Sequence, residues 1–155
     1  MMMDRSKFKH STQLRVRNYD VDWQGIVHNA NYLLYFEVGR VEYLKLLGMK
    51  IDVNTIRNDA KVVLVRNEID YKSPARFDNV INILTRISSI RNTSFVFEGM
   101  IEEHGTQKVI AENIAIHVWL DPKKGEPTTV SDDFRSHVRQ YEGENVAIVG
   151  PTLFT

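Results

Sequence analysis

Apolar positions along the chain change their period several times, and each change marks an element. Gln13 to Tyr19 (QLRVRNY) alternates polar and apolar residues, the two-residue period of a strand. A loop over Asp20 to His28, containing Gly25, leads into the longest helical signal, residues 30 to 47. Asn29 reads as its N-cap and Gly48 as the left-handed residue that ends it. At 1.5 Å per residue that helix spans about 27 Å. Leu33, Phe36, Val41 and Leu44 define one side, and Tyr32, Tyr35, Tyr43 and Leu46 cover much of another. A helix apolar nearly all round is expected to be surrounded by other elements. Residues 49–61 are polar and ambiguous, a short turn of helix at most.

Four strand-like runs follow. Val62 to Tyr71 places Val63, Val65, Ile69 and Tyr71 on one face; Val80 to Ile90 groups Ile81, Ile83 and Ile87. Ser94 to Glu103 gives Phe95, Phe97 and Ile101, and Lys108 to Leu120 gives Ile110, Ile114, Ile116, Val118 and Leu120. Each pattern fits a half-buried strand. The breaks between them are short and polar, which favours antiparallel neighbours, because a parallel crossover needs a dozen residues or more. Ser131-Asp132-Asp133 then caps a small helix with Phe134, Val138 and Tyr141 on one side and Gly143 at its end. The expected architecture is α+β: a long central helix wrapped by a curved antiparallel β-sheet of five or six strands. It forms one domain over 1–155, with its core at 12–143 and tails at 1–11 and 144–155. The other face of the helix and the edge strands are left for a partner.

Composition narrows the function. The chain of 155 residues carries 20 Lys+Arg against 20 Asp+Glu, for a net charge of zero. That balance argues against a duplex nucleic-acid partner, which needs a basic face, and against a polybasic membrane anchor. With no Cys there are no disulfides, thiolate nucleophiles or Cys-ligated metals. The five His residues show no metal-ligand spacing, so no metal and no other cofactor is expected. The opening MMMDRSKFKHS lacks the apolar run of a secretory signal, and no stretch reaches the length of a spanning helix. A cytoplasmic placement is expected.

Known catalytic signatures are missing: no Gly-x-Ser-x-Gly elbow, phosphate-binding glycine loop, dinucleotide fingerprint or His-Glu-x-x-His. The informative segment is Tyr19 to Tyr32 (YDVDWQGIVHNANY), a carboxylate-bearing loop entering the long helix. The first turn of a helix presents N–H groups with no intrahelical partner, backed by about half a positive charge. A carbonyl oxygen placed there is polarised, and Asp22 stands within reach of the carbonyl carbon or of a water beside it. The plain alternative is that Asp20 and Asp22 make Asx turns and Gly25 supplies a tight bend.

The string D-x-D-x-x-G-I-V-x-N-A-x-Y-x-x-Y-F-E-x-x-R, from Asp20 to Arg40, resembles the signature of 4-hydroxybenzoyl-CoA-thioesterase-like hotdog proteins. Tyr71-Lys72-Ser73-Pro74-Ala75 with Asp78, the turn at Ile90 to Phe95, and Ala111 to Val118 look like later strands of that family in order and spacing. The resemblance implies a hotdog fold and an acyl-CoA thioesterase that works without cofactor as a homodimer or homotetramer. It places the family's catalytic carboxylate, as nucleophile or general base, on Asp22. It places the polarising backbone N–H on Asn29, with Gly25 letting the loop approach. Some members carry His where this chain has Asn29; here a His stands one position earlier, at His28.

By the same resemblance Arg91 and Ser94 lie where family members contact CoA phosphates, although an Arg in a turn is often simply solvated. Trp23, His28 and Tyr32 are candidate substrate contacts. Tyr32, Tyr35 and Phe36 also read as core, whereas Trp23 sits in the loop beside Asp22. Glu37 and Arg40, three apart on the helix, are expected to pair with each other, and His117 to be a cross-strand or surface residue. Two other functions stay open: hydrolysis of acyl-carrier-protein thioesters, which calls for a local basic rim, and non-catalytic acyl-thioester binding. Hydratase chemistry wants a catalytic His in a different neighbourhood.

Overall fold

The computed structural model describes residues 2–49 and 62–150. The elements are β1 (His10–Arg15), α1 (Asn31–Leu46), β2 (Val62–Tyr71), β3 (Val80–Ile90), β4 (Ser94–Glu103), β5 (Val109–Trp119), α2 (Asp132–Glu142) and β6 (Ala147–Ile148). The strands form one six-stranded sheet in the order β1-β3-β4-β5-β2, with β6 paired to β3. β1 runs antiparallel to β3, matching His10 with Thr85 and Arg15 with Val80, whereas β6 runs parallel to it. The connection from β3 to β4 is a tight hairpin closed by the Arg91 N–H to the Ser94 carbonyl at 2.7 Å. The expected turn within 49–61 lies outside the described residues, apart from Met49.

Two compact units can be distinguished: Met1–Tyr43, Glu68–Arg86 and Gly99–Asn113 form one, and Leu44–Asn67, Ile87–Glu98 and Ile114–Thr155 the other. The first has a core in which Tyr35 and Phe36 of α1 meet Ile81 and Ile83 of β3 and Ile101 of β4. Two glycines allow this approach. A Cβ on Gly39 would come within 2.5 Å of Thr85 Oγ1, and one on Gly99 within 2.7 Å of the Phe36 ring. The second unit is built on rings. Phe134 of α2 lies 4.9 Å from Phe95 and 5.1 Å from Trp119, and His117 stacks on Phe95 as a cross-strand neighbour.

Several patterns differ from expectation. β1 ends at Arg15, not Tyr19, because the Asp20 carboxylate accepts the Arg17 N–H and guanidinium and curls residues 18–20 into a 3₁₀ turn. It also starts at His10, inside the segment expected to be a tail. Residues 3–5 are anchored there too. Arg5 grips Glu102 through two bonds of 2.6 and 3.0 Å, and the Met3 N–H donates to Glu112 at 2.8 Å. Alternation along β4 puts Glu102 on the face opposite Gly99 and Ile101, so these residues cover the side of the sheet away from α1.

Helix α1 buries one stripe, Tyr32, Tyr35, Phe36, Gly39, Arg40 and Tyr43, and leaves Leu33, Leu34, Val38 and Leu46 exposed. The spacing i, i+3, i+4, i+7 selects that stripe; being apolar nearly all round does not make the helix covered all round within one chain. Among the described residues Glu37 and Arg40 form no close ion pair or hydrogen bond, and Glu37 acts on Arg40 only through its charge. Arg40 turns inward and donates to Asn113 Oδ1 at 3.2 Å, while Glu37 faces outward. On β5 the buried side passes to Ala111, Ala115 and Trp119, and Ile114, Ile116 and Val118 are half-covered. β2, at the sheet edge, has no buried residue; Val63, Leu64 and Val65 are exposed.

Candidate functional site

The loop before α1 is a small hairpin. Val21 pairs with Val27, the Asp22 N–H donates to the Ile26 carbonyl at 2.9 Å, and the His28 N–H to the Asp20 carbonyl at 3.1 Å. Gly25, at φ +80°, closes it with its N–H on the Asp22 carbonyl. That backbone is the left-handed region where a side chain is strained, and a Cβ there would still meet nothing within 4 Å.

Asp20 is the structural carboxylate of this loop. It is 5% exposed and accepts from the Arg17 backbone and guanidinium and from the Tyr35 hydroxyl at 2.9 Å. Burial alone pushes its carboxyl upward, but these bonds prevail and hold it below the ordinary aspartate value. Burial, then the bond to Asp20, push the Tyr35 phenol well above its own. Asp22 is half-exposed, and its Oδ1 accepts the Gln24 N–H at 2.8 Å in an Asx turn. The Asx-turn reading therefore holds for Asp22 and fails for Asp20. The other Asp22 oxygen has no partner among the described residues.

Helix α1 begins at Asn31, one residue later than an N-cap at Asn29 requires. The Ala30 N–H is accepted by His28 Nδ1 at 3.2 Å, the Asn31 N–H by the His28 carbonyl at 2.9 Å, and the Asn31 side chain bonds the Asp20 carbonyl at 2.7 Å. The Asn29 carbonyl accepts from the Tyr71 hydroxyl at 3.2 Å. The Asn29 N–H has no acceptor among the described residues. It stands at the positive end of α1, beside an open depression of about 310 Å³ lined by Val27, Asn29, Tyr32, Tyr71, Lys72, Ser73 and Pro74.

The residues expected to form a site are thus partly assembled. Asp22, Gly25, His28 and Asn29 share the hairpin and helix start, and Tyr32 lines the depression, its hydroxyl accepting the Ala75 N–H at 3.0 Å. Trp23 does not line it; it projects from the hairpin tip, 91% exposed. Arg91 and Ser94 belong to the second unit, at the β3–β4 turn, and the Arg91 guanidinium has no partner among the described residues. Tyr71, Lys72 and Ser73 are read in the sequence only as the end of a strand and the family-like stretch after it, since neither alternation nor order and spacing reports that they line this depression. A second depression, of about 200 Å³ around Trp119, Phe134 and His137, holds none of the expected residues. Among the described residues no cluster suited to a metal occurs, and no helix is long and apolar enough to cross a membrane.

Residues 16–138 match the model of the thioesterase-like superfamily. The chain belongs to that superfamily. It is 35% identical to the chloroplastic acyl-acyl carrier protein thioesterase ATL2 of Arabidopsis thaliana, over 86% of this chain and 68% of that protein. It is 30% identical to the acyl-CoA thioester hydrolase YbgC of Escherichia coli, over 82% of this chain and 93% of the relative. Its fold matches a Thermus thermophilus thioesterase crystallised with coenzyme A and Zn, with a TM-score of 0.76 and 25% identity over 89% of this chain and 97% of that one. The superfamily member described here is a thioester hydrolase of the hotdog fold.

Proposed function

We propose that this hydrolase cleaves an acyl-CoA thioester to a free carboxylic acid and CoA, using Asp22 and the start of α1. The unpaired Asn29 N–H carries the reading, because it is a preorganised donor at a helix terminus, aimed where a thioester oxygen gains negative charge. The Asp22 carboxylate either attacks the carbonyl carbon or takes a proton from the attacking water. The C–S bond breaks, the thiolate leaves as CoA-SH after protonation, and water supplies the acid's second oxygen. Gly25 sets the hairpin that presents Asp22. Tyr32, which lines the depression, is a proposed contact for the acyl and pantetheine groups, and Arg91 and Ser94 for the CoA phosphates.

The test is thiol release from acyl-CoAs of varied length and aromaticity. Asp22→Asn should lower kcat by at least about 100-fold with stability unchanged. Full activity in that variant would remove Asp22 from the mechanism. The relative ATL2 favours a second reading, an acyl-carrier-protein substrate. Against it, the arginines around the hairpin are largely matched: Arg15 pairs with Asp78 and Arg17 with Asp20. Kinetics with the same acyl group on CoA and on carrier protein separate the two.

We further propose that the enzyme works as a cytoplasmic homodimer or homotetramer. Exposed Val63, Leu64 and Val65 on an edge strand, and Leu33, Leu34 and Val38 on α1, are faces a second copy would cover. Light scattering should give at least twice the 18.0 kDa chain mass, and Leu64→Lys should reduce it to one chain; a monomeric wild type would overturn this.

A further inference from the structure

The two peptides flanking Asn29 can be accounted for group by group. In the His28–Asn29 peptide, the carbonyl accepts the Asn31 N–H at 2.9 Å, and the N–H is the unpaired donor. In the Asn29–Ala30 peptide, both groups are held by side chains. Its carbonyl accepts from the Tyr71 hydroxyl at 3.2 Å, and its N–H donates to His28 Nδ1 at 3.2 Å. Three of four polar groups are therefore fixed, and the fourth is left without an acceptor among the described residues. A backbone donor at an exposed loop–helix junction is free to tilt unless the groups flanking it are held, because it lies ahead of the helical ladder that begins at Asn31.

The His28 bond also assigns a tautomer to the ring. A backbone N–H can only donate, so Nδ1 carries a lone pair and the proton of the neutral ring sits on Nε2. His28 thereby acts as Asn and Asp do in an Asx turn, accepting the N–H two residues ahead. Tyr71, the last residue of β2, is held by the edge of the Tyr32 ring, with centroids 5.5 Å apart. Its hydroxyl is thus aimed by the strand and by the helix's own first turn.

We infer that Tyr71 and His28 are positioning residues that clamp the Asn29–Ala30 peptide and so aim the unpaired Asn29 N–H at the reacting carbonyl. This rests on the reading of that N–H as the polarising donor and assigns His28 to the backbone instead of the substrate. Positioning acts on the transition state more than on substrate binding, so kcat and KM separate.

The experiment measures acyl-CoA hydrolysis and backbone amide exchange for Tyr71→Phe, His28→Ala and His28→Asn. Tyr71→Phe keeps the ring and should lower kcat by about threefold to tenfold with KM within about twofold. His28→Ala should do the same and speed exchange of the Ala30 amide by about tenfold. His28→Asn, which restores an acceptor two residues back, should recover most of both. A raised KM at unchanged kcat would make these residues substrate contacts and overturn the clamp, as would no change in either constant. An α-hydroxy acid at position 29, which deletes the N–H, tests the underlying reading separately. Full kcat there would refute the polarising donor, whereas the Ala30 exchange rates would still report whether the clamp exists.

Discussion

Two carboxylates stand two residues apart in the hairpin before α1, and their surroundings divide their work. Asp20 is enclosed by the Arg17 guanidinium, the Arg17 N–H and the Tyr35 hydroxyl. Asp22 spends one oxygen on the Gln24 N–H and keeps the other toward solvent. Asp20→Asn swaps a charged acceptor for an amide that can satisfy only some of those donors, at a cost of about 1–3 kcal/mol in urea unfolding. A loss below about 0.5 kcal/mol would be ordinary surface behaviour and would refute the structural role. The motif containing both residues is legible in the chain, but their division of labour is not. Arg17 and Tyr35 reach Asp20 from either side along the chain, and local spacing does not report which of two nearby aspartates they enclose.

The elements with steady periods were the legible ones. β2, β3 and β4 begin and end where alternation starts and stops, and Ser131 caps α2 through its bond from the Phe134 N–H at 3.2 Å. Boundaries failed where a side chain competes with the regular backbone pattern, as at Asp20 beyond β1 and His28 ahead of α1. Faces failed where burial is set by a neighbour, as on β5 and edge strand β2. Helix α1 shows the cost of close approach. At Gly39 the helix comes so near β3 that one added methyl group meets Thr85 Oγ1 at 2.5 Å and Ile83 Cγ2 at 2.6 Å. Gly39→Ala raises helix propensity, yet it should destabilise by about 1–3 kcal/mol because overpacking outweighs propensity. An unchanged or raised Tm would mean the helix can shift away without loss. The requirement for glycine at position 39 is invisible in the sequence, since it records a distance between α1 and β3, which are remote in the chain.

At the scale of the molecule, the N-terminal residues are part of the folded body. Arg5 lies on Glu102, a carboxylate fully buried in β4. The Arg5 bond, opposed by burial and aided by Asn82, holds that carboxyl below its ordinary value of 4.5. A depressed folded-state pKa contributes stability that is present above the unfolded value and lost as pH falls through the folded one. Arg5→Ala should therefore cost about 1–3 kcal/mol at pH 7 and progressively less as pH falls below about 4.5. Urea titrations of both proteins from pH 7 to pH 3 check this; a gap independent of pH would refute the ion pair as its source. A last consequence concerns light. The chain has two tryptophans, Trp23 almost wholly in solvent beside Asp22, and Trp119 enclosed by Phe95 and Phe134. The first emits at the red end and is open to acrylamide, and the second emits in the blue and is shielded, so one emission spectrum carries separate reports from the hairpin before α1 and from the ring-packed core.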